Sequence, residues 1–76
     1  MSIGLKPRID VGEKSMKSYV DAARMILEKY GRVFLVAEKR YSFKALKIAT
    51  LTGKISWYYV PPDGRRVIVL VERREA

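Results

Sequence analysis

The chain has 76 residues, with 16 Lys or Arg against 8 Asp or Glu, a formal net charge of +8, and neither Cys nor His. A chain of that size buries only about 60% of the surface it exposes when unfolded, so it holds one small domain with a marginal core of its own. The missing Cys and His exclude disulfides and the usual zinc ligands, which leaves self-association as the remaining staple and predicts a dimer. The excess of positive charge suits a nucleic acid or an anionic surface. The apolar runs are too short to cross a bilayer and nothing resembles a signal peptide, so the expectation is a soluble, cytoplasmic protein without a membrane partner. Asn and Gln are absent while Lys, Arg and Glu abound, a thermophilic pattern.

In chain order, residues 1–5 read as a loose tail. Arg8-Ile9-Asp10-Val11 alternates as a short strand does, with Ile9 and Val11 inward and Pro7 at its start, where a missing N–H does no harm. Gly12 ends that strand, and Ser15 is placed to cap a helix. Met16, Tyr19, Val20, Ala23, Leu27 and Tyr30 then form one helical face, Lys17, Asp21, Arg24 and Glu28 the other, and Gly31 the left-handed stop.

Val33-Phe34-Leu35-Val36-Ala37 is unbroken apolar sequence, as in a central parallel strand covered by a crossover helix. A charged connection, Glu38-Lys39-Arg40-Tyr41, leads to Ser42 as the cap of a second helix. Phe43, Ala45, Leu46, Ile48, Ala49 and Leu51 make that helix apolar on more than one stripe, which calls for two partners, the sheet and a second subunit. After Gly53, residues 54–60 and 66–73 read as strands joined by the turn Pro61-Pro62-Asp63-Gly64. Residues 1–76 thus form one α/β domain, a two-layer βαβαββ sandwich with a four-stranded mixed sheet and two helices.

Lys14 and Lys17 sit at a helix N-terminus, where the dipole already favours an anion. Lys39, Arg40, Lys44 and Lys47 crowd the start of the second helix, a placement that works against its dipole unless an external anion neutralises it. Arg65 and Arg66 ride the hairpin tip, suited to a narrow minor groove or to guarding a strand edge. Arg73 and Arg74 read as a solubilising tail. Alternation puts Ile55, Trp57 and Tyr59 on one face and Ser56, Tyr58 and Val60 on the other, so packing claims one set and Tyr58 is the better base-stacking candidate. Catalysis has no support: the acids are scattered, and there is no His, no Cys and no glycine-rich phosphate loop, so neither enzyme activity nor a cofactor or small-molecule substrate is expected.

Val11, Gly12, Lys14, Tyr19, Val20, Ala22 and Ala23, followed by Ala37, Arg40, Lys44 and Ala45, resemble the Alba superfamily of small archaeal DNA- and RNA-binding proteins. The resemblance covers about residues 8 to 53, and the hairpin by topology only. It implies a homodimeric, nucleoid-associated chromatin protein that binds double-stranded DNA or structured RNA with little sequence preference. Lys14, Arg40 and Lys44 would touch phosphates, and the hairpin would carry Arg65 and Arg66 toward a minor groove. The family commonly has lysine where this chain has Glu13 and arginine where it has Glu38. Those reversals motivate an alternative, a protein-interaction module or heterodimer partner of another Alba-type subunit. The element order also resembles the C-terminal domain of translation initiation factor 3, which points toward RNA.

Overall fold

Ser15 and Gly31 bracket the longest helix as their chemistry requires. The Ser15 hydroxyl accepts the Ser18 N–H, and Gly31, at φ 80°, closes the last turn by donating to the Leu27 carbonyl. The computed structural model describes residues 5–75. They run as β1 (Arg8–Val11), α1 (Met16–Tyr30), β2 (Arg32–Glu38), one 3-10 turn (Lys39–Tyr41), α2 (Ser42–Thr52), β3 (Lys54–Tyr59) and β4 (Arg66–Glu72). The expected order and class hold. No helix among the described residues is long and apolar enough to cross a membrane.

The strands lie in the order β1-β2-β4-β3, with β1 parallel to β2 and the other pairs antiparallel. A parallel pair needs a crossover, and α1 supplies it. The pairing of Leu35 with Val69, Val33 with Val71 and Val11 with Ala37 puts these side chains on one face. They are buried there beneath Ala23 and Leu27 of α1 and Ala45, Ile48 and Ala49 of α2. The alanines let the helices sit close, and each fully buried Val, Leu or Ile contributes about 1.5–3 kcal/mol. Among the described residues, the opposite face of the sheet carries no helix.

Several local features differ from the sequence reading. Tyr30, expected inward, is exposed at the last turn of α1, with Lys29 Nζ 5.3 Å from its ring centroid. Ser42 is already helical and Tyr41 holds the N-cap position without a side-chain bond, since the 3-10 turn occupies the expected connection. Arg73 and Arg74, read as a solubilising tail, are exposed and also make defined hydrogen bonds. Arg73 donates its N–H to Gly31 O at 3.0 Å and its Nη1 to Glu28 O at 3.2 Å, while Arg74 Nη2 reaches Thr50 O at 2.7 Å. The two side chains thereby satisfy orphan carbonyls at the C-terminal ends of both helices. A register shift between Ile55 and Trp57 also changes β3: Ile55 pairs with Val71 on the helix face, whereas Trp57 pairs with Leu70 on the open face. Leu5 is half-buried, and the rest of the expected N-terminal tail lies outside the described residues.

Gly53 joins α2 to β3 where the chain passes against β4. A Cβ there would overlap the Glu72 carbonyl oxygen and approach Val71 Cγ1 at 3.0 Å, and backbone cannot step aside as a flexible side chain does. Gly53→Ala is therefore expected to cost about 1–3 kcal/mol in urea unfolding. Gly12→Ala, whose Cβ would meet only the Tyr19 hydroxyl at 3.5 Å, gives the mild comparison.

Candidate nucleic-acid interface

The topology gathers the expected cations. In a βαβ unit the C-terminal end of the first strand and the N-terminal end of the helix lie together. β1 and β2 run the same way, so both helix starts lie at one end of the sheet. β4 starts opposite the end of β2, with Arg66 paired to Glu38, which brings the β3–β4 turn to the same end. The Lys39 N–H donates to Arg65 O at 2.9 Å and ties the hairpin tip to the 3-10 turn. Lys14, Lys17, Lys39, Arg40, Lys44, Arg65 and Arg66 accordingly occupy a single end of the molecule.

At its centre the turn between β1 and α1 is held from both sides. The Tyr19 Oη accepts the Gly12 N–H at 2.7 Å and the Lys14 N–H at 3.3 Å. The Lys44 ammonium donates to Gly12 O at 2.6 Å and also to Lys14 O. Nζ of Lys44 lies 5.1 Å from the centroid of the Tyr19 ring and 5.6 Å from that of Tyr41, within cation–π range. One phenol and one ammonium thus satisfy both the donors and the acceptors of the same two backbone units. Tyr19 stands in the first turns of α1 and Lys44 in the first turn of α2, so the clamp also locks the two helix starts together.

The remaining cations divide by partner. Lys17 pairs with Asp21 at 2.7 Å, and Arg40 pairs with Glu38 at 2.9 Å while lying 4.9 Å above the Tyr41 ring. Both pairs are exposed and contribute little to stability. Lys14, Lys39, Arg65 and Arg66 have no carboxylate in ion-pair range among the described residues. Of the reversed charges, Glu38 is answered by Arg40, whereas Glu13 stands exposed beside Lys14 with no ion-pair partner among the described residues. The hairpin tip is shaped by its own backbone. The Gly64 N–H donates to Pro61 O at 2.9 Å, and the Arg65 N–H donates to the Asp63 carboxylate at 3.0 Å.

Sequence reading took Lys44 for a phosphate contact on equal terms with Lys14, and nothing in the spacing signalled that its ammonium would be held by carbonyls. The role of Tyr19 in the turn was likewise hidden, because its position marks it as an inward residue of α1. Comparison with protein-family models, with curated proteins and with solved structures gave no match, so the functional reading rests on fold and side-chain placement.

Tyr19→Phe keeps the ring and removes the acceptor, leaving the part-buried Gly12 N–H without a partner. The expected cost is about 1–3 kcal/mol, with faster amide hydrogen exchange at Gly12 and Lys14 and unchanged exchange in β4.

Proposed function

We propose that the chain is a dimeric nucleic-acid-binding protein of the Alba type that grips the backbone phosphates of duplex DNA or structured RNA without reading their sequence. The observation that carries this reading is the convergence of Lys14, Lys39, Arg65 and Arg66, all without carboxylate partners among the described residues, at the end where both helices begin. Helix starts offer unpaired N–H groups and positive dipole ends, and the cations add long-range attraction for a polyanion. Phosphate contacts of this kind position a protein without specifying bases. Arg40 and Lys17 join the surface when an anion outcompetes their exposed carboxylate partners, and Lys44 serves it by holding the Lys14 turn.

The outer flank of α2 supports the dimer. Phe43 is 85% exposed, and Leu51 on α2 with Ile55 and Tyr58 on the helix side of β3 extends an apolar surface that the chain itself leaves uncovered. A second copy there would place two basic ends on one assembly, doubling the +8 of a single chain. The exposed Glu13 beside Lys14 favours a second reading, in which this flank pairs with a different Alba-type subunit and opposite charges select the partner. Mixing the chain with a more basic relative of that type and measuring mass distinguishes the two.

For duplex binding, the logarithm of the binding constant should fall with the logarithm of salt concentration by about 0.9 per phosphate neutralised. Lys14→Ala and Lys39→Ala should each lower that slope by about 1 and weaken unrelated sequences equally. A salt-independent constant would refute phosphate gripping.

A further inference from the structure

We infer that the face of the sheet opposite the helices is a second binding surface, which takes the unpaired bases of single-stranded nucleic acid. This inference stands apart from the duplex reading, since its aromatic residues lie on a different face and only Arg66 is shared between the two surfaces. The register puts Phe34 of β2, Leu70 of β4 and both Trp57 and Tyr59 of β3 on that face. Trp57 and Tyr59 stack with centroids 5.5 Å apart and planes 16° from parallel, yet remain 44% and 42% exposed. Beside them Leu5, Phe34, Ser56, Leu70 and Glu72 line a shallow hollow with Trp57 as one wall, Glu72 standing at its rim. A base entering it meets an aromatic face and an apolar floor, and stacking of this kind accepts any base.

Charge selects this occupant. On the same face Arg8 is answered by Asp10 at 2.6 Å, and Glu38 is answered by Arg40. Arg32, Lys54 and Arg66 have no ion-pair partner among the described residues. The remaining carboxylate, Glu72, is flanked across the strands by Arg32 and Lys54. The apolar strip is therefore rimmed by an excess of cations. Two sheets packing face to face bury inner faces made of interdigitating apolar side chains. A second copy of this face would instead bring Arg32, Lys54 and Arg66 of both copies into the same buried layer, more cations than Glu72 can answer. A ligand with π faces and a negative backbone matches both parts of the surface.

Trp57 is the one tryptophan in the chain, so its fluorescence reports this face alone. The full chain is titrated with an unstructured oligothymidylate, with a base-paired duplex, and with inorganic polyphosphate of equal charge. Saturable quenching by the oligothymidylate, absent with polyphosphate, is the expected result. In competition anisotropy, Trp57→Ala and Tyr59→Ala should each weaken single-strand binding on the order of 10- to 100-fold. Duplex affinity should change less than twofold in both. Quenching with no duplex binding would still support this face and would fell only the duplex reading. Absent quenching, equal quenching by polyphosphate, or unchanged single-strand affinity in both variants would overturn the inference. So would dissociation of a dimer by Trp57→Ala in sedimentation, which would make this face a contact between copies.

Discussion

Val33, Leu35 and Ala37 of β2 and Val67, Val69 and Val71 of β4 bury their side chains under the two helices, and every other feature of the molecule follows from that one-sided burial. Because a right-handed crossover must return α1 over the sheet, both helix starts come to the end where β1 and β2 finish. Basic residues in those connections therefore meet in space although they lie far apart in sequence. The same constraint leaves the other face of the sheet, the β3 edge and the outer flank of α2 without cover.

Positive charge in this protein serves more than one purpose. Lys44 is bound into the backbone of the β1–α1 turn, and Arg73 and Arg74 close the carbonyl ends of the helices. Lys17 and Arg40 hold exposed pairs that an external anion can open. Net charge alone thus overstates the surface offered to a polyanion, and the side chains without partners describe it better. The structural cations contribute all the same. The Tyr19–Lys44 clamp presents Lys14 from a turn whose backbone is already fixed, so the proposed phosphate contact there would cost less ordering entropy.

Much of this architecture was legible in the residues. Ser15 and Gly31 marked the ends of α1 because capping is local chemistry, and the alternation around Pro61-Pro62-Asp63-Gly64 marked the hairpin for the same reason. The unbroken run from Val33 to Ala37 foretold a central strand, and β2 does lie between β1 and β4. What escaped was non-local. The register shift in β3 moved Ile55 and Trp57 to opposite faces, and no local signal at Ser56 announced it. The partners of Lys44 and Arg74 are 30 and 24 residues away, beyond any spacing rule. The placement of Lys39 beside Arg65 likewise depended on how β4 pairs with β2.

In the proposed mode of binding, a duplex meets the end of the molecule where the helices begin. Backbone amide shifts of the isotopically labelled protein, followed as a short duplex is added at low salt, test it most directly. Perturbation concentrated at Gly12 to Lys14, Lys39 to Arg40 and Arg65 to Arg66, fading as salt is raised, is the predicted result. Perturbation centred instead on Lys29, Lys54 and Arg73 at the far end, or spread evenly over the surface, would contradict it.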